Sequence, residues 1–170
     1  MGWVEKCMQP DHIKEKLFEY VKNPQGFLLL AGINGTGKTY SARSVLCDIL
    51  HITTDPLDQA EVITQSDLNI KWQKDFAEYG NTFYRLENLI SKKILILDDI
   101  GTRKPSDSFM DFLYCLVDKR YSDKEKLCTI VTTNLNSQQM QEMFGGAFTS
   151  RVASGIICRM DGPDRRIPKF

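Results

Sequence analysis

The sequence predicts an α/β fold in three layers, with a mainly parallel five-stranded sheet flanked by helices. Three observations carry this. Short apolar runs, such as Phe27 to Ala31 and Ile94 to Leu97, have the length and unbroken character of strands buried on both faces. Between them lie segments whose apolar residues recur every three or four positions, the mark of amphipathic helices. A glycine-rich stretch joins the first run directly to a helical segment. Strands and helices alternate along the chain, the order expected of parallel architecture.

Each element has its own signal. Ile13, Leu17, Tyr20 and Val21 fall on one helical face, and Asn23-Pro24-Gln25-Gly26 turns the chain into the first strand. Lys38 to Leu50 reads as a helix with Ala42, Val45, Leu46 and Ile49 inward. Glu61 to Thr64 is a second strand. Ser66 is expected to cap a helix carrying Leu68, Trp72, Phe76 and Tyr79, which Gly80-Asn81 ends. Phe83, Leu86, Leu89 and Ile90 form another helical face, and Ile94 to Leu97 is a third strand ending in Asp98-Asp99. Phe109, Phe112, Leu113, Leu116 and Val117 make an amphipathic helix. Leu127 to Thr132 is a fourth strand. Short helices are expected over 137–144 and 148–152, and a fifth strand over 155–159.

Composition narrows the function classes. The chain of 170 residues suits one domain, with a short N-terminal helical extension over 1–25 and room for no separate lid or partner-binding domain. Lys plus Arg and Asp plus Glu both number 22, so no global basic field announces a nucleic-acid partner. Cys7, Cys47, Cys115, Cys128 and Cys158 form no C-x-x-C pair for His12 and His51 to complete, which argues against a thiolate or imidazole metal centre and for free thiols. The apolar runs are too short to span a bilayer, and no apolar signal core opens the chain. The expectation is a cytoplasmic protein with no membrane partner.

Gly32 to Thr39, GINGTGKT, fits the pattern G-x-x-x-x-G-K-[ST] throughout. A triphosphate needs many donors converging on its oxygens. Glycines let backbone N–H groups approach closely, and the next helix adds its free N–H groups and positive dipole end. The expected nucleotide contacts are Gly32, Ile33, Asn34, Gly35, Thr36, Gly37, Lys38, Thr39 and Tyr40. Lys38 is expected at the β- and γ-phosphates, and the Thr39 hydroxyl on Mg²⁺. The strand before and the helix after are the context this motif requires, so ATP with Mg²⁺ is the expected cofactor.

A carboxylate at a strand end near that loop suits the metal, and a second beside it suits an attacking water. Asp98 is assigned to the metal and Asp99 to the water. Asn134, at the end of the fourth strand, can polarise the water or sense the γ-phosphate; the plainer reading is an ordinary loop asparagine.

With these elements in order, the chain resembles the AAA+ ATPases of the DnaC/DnaI/IstB-like helicase-loader and transposition-helper family. The matching segments are GINGTGKT at 32–39, ILILDDIG at 94–101, DKRY at 118–121, TIVTTNL at 129–135, TSRV at 149–152 and GPDRR at 162–166. The resemblance implies Asp98 and Asp99 as the Mg²⁺ and catalytic acidic pair, Asn134 as the sensor-1 residue, and Arg151 as an arginine finger reaching a neighbour's ATP. It implies self-association through the ATP site, a replicative helicase or transposase partner, and single-stranded DNA. Lys71, Trp72, Lys74 and Phe76, and the loop Thr102-Arg103-Lys104, are the DNA candidates. Trp72, Phe76 and Tyr79 read more readily as core. Arg120 is expected at a subunit boundary or at a solvated helix end, and Arg165 or Arg166 at phosphate or a neighbour. Helicase loading is the first functional expectation and transposition help the alternative. A small-molecule kinase needs an arginine-rich lid, yet only Arg85 and Arg103 lie between Arg43 and Arg120. A pure nucleotide switch would not need Asp99, Asn134 and Arg151.

Overall fold

The computed structural model describes residues 2–53 and 57–164. Helix α1 (Asp11–Lys22) leads into β1 (Gly26–Ala31), then α2 (Lys38–Thr53), β2 (Ala60–Thr64), α3 (Gln65–Tyr79), α4 (Phe83–Ser91), β3 (Ile94–Ile100), α5 (Asp107–Ser122), β4 (Cys128–Thr133), α6 (Ser137–Val152) and β5 (Ile156–Arg159). The five strands form one sheet in the order β2-β3-β4-β1-β5, and every neighbouring pair is parallel.

The continuous apolar runs are explained by two cores, one on each sheet face. Phe27 and Leu29 of β1, Leu95 and Leu97 of β3, and Val131 of β4 pack toward α3, α4, α5 and α6. Their alternates Leu28, Leu30, Ile94, Ile96 and Ile130 pack toward α1 and α2. Strands buried on both sides cannot alternate polar with apolar, and these do not. The expected inner faces of α1 and α5 are buried as the spacing requires. On α2, Leu46 is only half-buried and Ser41, Ser44 and Asp48 are buried instead.

Four local expectations change. Helix α3 starts two residues earlier than a Ser66 cap predicts, because Thr64, in extended conformation at the end of β2, accepts the Asp67 N–H. Phe76 and Tyr79 are not core: they are 56% and 65% exposed, and Trp72 is half-buried, stacked on Phe76. The reason is that α3 packs on the edge strand β2 and its neighbour β3 and is buried only through its first turn, at Gln65 and Leu68. The two short helices expected near the C-terminus abut at Gly145, whose φ of 81° and ψ of 160° break the spiral inside α6. Strand β3 does not end at Leu97. It runs on through Asp98-Asp99 to Ile100.

Candidate functional site

The phosphate loop connects β1 to α2 at the C-terminal edge of the sheet. Gly35 and Gly37 have φ of 76° and 91°, conformations that favour glycine. The loop is anchored at its start by Gly32 N–H on Thr133 O (3.2 Å). The Lys38 ammonium lies back across it and donates to Gly32 O and Ile33 O, both at 2.7 Å. A cavity of about 660 Å³ opens here, a size suited to a small-molecule ligand. Gly35, Gly37, Lys38 and Thr39 line it from the loop, Tyr40 and Arg43 from α2, and Asp99 from β3. Ile33 and Asn34 sit on the exposed crest.

The acidic pair sits in a β-bulge. Leu97 pairs with Val131 and Ile100 with Thr133, so β3 spends one more residue than β4 over this stretch. The bulge lets adjacent residues take different roles. Asp98 is buried, with one carboxylate oxygen accepting from Thr39 Oγ1 (3.0 Å) and Thr132 Oγ1 (2.6 Å). Asp99 has φ of 54°, the left-handed region that few non-glycine residues enter, aspartate more readily than most. Its N–H donates to the same Thr132 hydroxyl (2.9 Å). Strand β4 lies between β1 and β3, so Thr39 reaches Asp98 from α2, across the sheet edge.

The hydroxyl of Thr39 and the carboxylate of Asp98 are hard oxygen donors within hydrogen-bond distance of each other. Both fit Mg²⁺, which takes one or two protein oxygens and phosphate oxygens for the rest.

Asn134 follows β4 at the same edge but does not line this cavity. It lines a neighbouring one of about 740 Å³, shared with Gly32 and Ile33. Its Oδ1 is buried with no hydrogen-bond partner, an acceptor with capacity left over. Arg151 reaches neither cavity. Its guanidinium binds Asp118 through Nε and Nη2, each at 2.7 Å, donates to Ala147 O, and lies over Tyr114 and Tyr121.

Arg120 is neither at a boundary nor solvated. It is 0% exposed and donates to five acceptors: Thr129 Oγ1 and the carbonyls of Leu89, Ile90, Lys92 and Cys128, at 2.7–3.0 Å. Those carbonyls end α4 and open β4, and a cation at a helix C-terminus is favourable. Burial lowers its pKa to about 10. Lys71 is half-exposed and 3.7 Å from Glu61, while Lys74, Thr102, Arg103 and Lys104 lie exposed. Arg165 and Arg166 lie outside the described residues.

Several contributors were missed. Thr132 joins Asp98 to Asp99, and its position beside an acidic pair was the available signal. Gln65 ties the loop after β3 by accepting from Gly101 N–H and donating to Arg103 O, both at 2.7 Å. The segment before α1 supplies Lys6 and Met8 to the nucleotide-sized cavity, which no motif announces. No described helix is long and apolar enough to cross a membrane.

Comparison with known proteins places this geometry. The family described as IstB-like ATP binding protein matches residues 11–160. The chain is 26% identical over 157 residues to the insertion sequence IS232 ATP-binding protein of Bacillus thuringiensis subsp. berliner, covering 89% of this chain and 58% of that one. It thus spans little more than half the length of that relative. Among solved structures, the DnaC helicase loader superposes with a TM-score of 0.75 at 19% identity, covering 92% of each chain. DnaI gives 0.73 at 17%, covering 97% of this chain and 90% of that one. AMPPCP-bound DnaA from Aquifex aeolicus gives 0.76 at 16%, over 93% of this chain and 49% of the other. These three likenesses establish the fold.

Proposed function

Because the chain belongs to the IstB-like ATP-binding protein family, a DnaC/IstB-like AAA+ group, we propose that it binds and hydrolyses MgATP to drive assembly of a protein complex on DNA. The observation that carries the hydrolytic part is the bulge that buries Asp98 against Thr39 while turning Asp99 into the cavity beside Lys38. A pure binder gains nothing from a second, strained carboxylate there.

The roles follow from placement. The loop N–H groups and Lys38 bind the phosphates. Thr39 and Asp98 would hold Mg²⁺, which when bound neutralises charge on the phosphate oxygens. Asp99 orients and deprotonates the attacking water. Thr132 ties the Asp98 carboxylate and the Asp99 backbone N–H together through one hydroxyl. Asn134 offers its spare acceptor close to the loop's start. Arg151 is the candidate for reaching a neighbouring subunit's ATP. Its bonds to Asp118 and Ala147 make internal bracing the competing role.

A transposase is the favoured partner, since the family and the sequence relative both concern insertion sequences. Loading of a replicative helicase is the second reading, favoured by the match to the DnaC loader over nearly all of both chains. Single-stranded DNA is the proposed cofactor of assembly, and Arg103 and Lys104 are its first contacts to test.

The test is phosphate release with and without single-stranded DNA, over a range of protein concentrations. Activity per molecule should rise with concentration and fall in Arg151→Ala. Activity that is independent of concentration and unchanged in Arg151→Ala would leave Arg151 as a brace only. Lys38→Ala should weaken ATP binding about a hundredfold or more, the loss of a charged phosphate contact; unchanged affinity would overturn the nucleotide site. Co-purification with a transposase rather than a hexameric helicase decides the partner.

A further inference from the structure

The cavity at the phosphate loop is larger than the loop motif explains. Gly35, Gly37, Lys38 and Thr39 line it from the motif, and Asp99 from β3. The other lining residues are Tyr40 and Arg43, further along α2, and Lys6 and Met8 of the N-terminal segment. That segment is fixed relative to α2, because the Trp3 and Val4 N–H groups donate to the two oxygens of Asp48, at 2.7 and 2.8 Å.

Arg43 stands out among them. It follows Thr39 by four residues within α2, so the two side chains share one helix face, about 6 Å apart along the axis. Thr39 is bonded to Asp98 (3.0 Å), and Asp99 lines the same cavity, which puts the metal and water end of the site there. Arg43 is one turn further from that end. It is exposed, and among the described residues its guanidinium enters no hydrogen bond or ion pair. The charge around it has one sign. Lys6, Lys38 and Arg43 line the cavity, and Asp99 is the one acidic residue among those lining it. In a chain whose formal charges sum to zero, this gathers positive potential where a polyanion would lie.

We propose that Arg43 is a nucleotide-binding residue outside the loop motif: its guanidinium contacts the nucleotide at the α-phosphate end. With the terminal phosphates on the loop, the rest of the ligand leaves along α2 past Tyr40, and Arg43 is the next cation on that wall. This rests on the nucleotide-binding reading above and adds a residue and a direction to it. A contact at the α-phosphate is common to ATP and ADP, so Arg43 strengthens both alike and does not sense the γ-phosphate.

Dissociation constants of ATP and ADP, measured by competition with a fluorescent nucleotide on the full chain, test this. Arg43→Gln should weaken both by about tenfold, the loss of one charge-assisted contact, and leave their ratio within about twofold. Arg43→Lys should recover most of the loss, since it keeps the charge. The gap between the unaltered chain and Arg43→Gln should narrow as salt is added, because an exposed charge is screened. The melting temperature should hold, Arg43 having no partner within the fold to lose. Affinities within twofold of the unaltered chain overturn the proposal. So does a loss confined to ATP, which would place Arg43 at the γ-phosphate. A loss that is insensitive to salt and comes with a lowered melting temperature marks a structural residue and overturns it too. Lys38→Ala keeps the layers apart: if it leaves nucleotide affinity intact, the nucleotide site itself fails, whatever Arg43 does.

Discussion

Strands β3 and β4 have two ends, and both carry polar residues. At their C-terminal ends Asp98, Asp99, Thr132 and Asn134 face the phosphate loop. There the chain tolerates a bulge, a left-handed aspartate and an unpartnered Asn134 oxygen. At their N-terminal ends Arg120 donates to five acceptors in a sealed interior, and Tyr20 donates its hydroxyl to Gly26 O and Cys128 Sγ. One end has capacity left for a ligand. The other is closed by the protein itself. Polar groups at a strand end thus mark function only where their bonds are unfinished.

The comparison breaks first at Arg120. Replacing it with Met leaves four carbonyls and the Thr129 hydroxyl buried without a donor. Loss of a buried hydrogen-bonded charge of this kind costs about 3–5 kcal/mol. The melting temperature should fall by roughly 10 °C or more for a chain of this size. ATP affinity per folded molecule should not change, because no atom of Arg120 reaches the loop. A stable Arg120→Met variant with weakened ATP binding would reverse the assignment of the two ends.

The next effect lies at the open end. Asp99→Asn keeps the shape and removes the base. Turnover should fall about a hundredfold, the ordinary contribution of a positioned general base. ATP affinity should stay within about threefold, since the group acts chiefly in the transition state. The melting temperature should hold or rise slightly, asparagine being at home at positive φ. A loss of stability as large as that of Arg120→Met would mean that Asp99 braces the bulge rather than serving the water.

Much of this contrast was legible beforehand, and the exceptions are instructive. The phosphate loop, Asp98 and Asp99 were readable because their spacing is fixed by a ligand of known shape. The strands were readable because burial on both faces forbids alternation. Arg120 was not, because a single arginine near a helix end looks the same whether it meets water or the carbonyls of α4, 28 to 31 residues earlier in sequence. Phe76 and Tyr79 misled for a related reason: periodicity shows that they share a face of α3, not how far the sheet extends beneath it. Thr132 was hidden because it acts through a contact distant in sequence, at Asp98.

The smallest effect separates the two ends by pH. Burial raises the Cys128 thiol from 9.0 to about 11, and Cys158 likewise. Between those values the unfolded chain gives up the proton while the folded chain keeps it. The folded state binds more protons there, so stability falls as pH rises. The contribution is whole below about pH 9 and is gone once the pH passes about 11. Tyr20, raised well above its usual value by burial and by Cys128, adds to the decline. Arg120 works in the opposite sense and only from about pH 10 upward, because its folded pKa is the lowered one. The urea midpoint should therefore fall from pH 9 toward 11, and the fall should be shallower in Cys128→Val, which fills similar space without a titrating proton. An unchanged slope would mean that the thiol meets water, and the sealed end would then be open like the other.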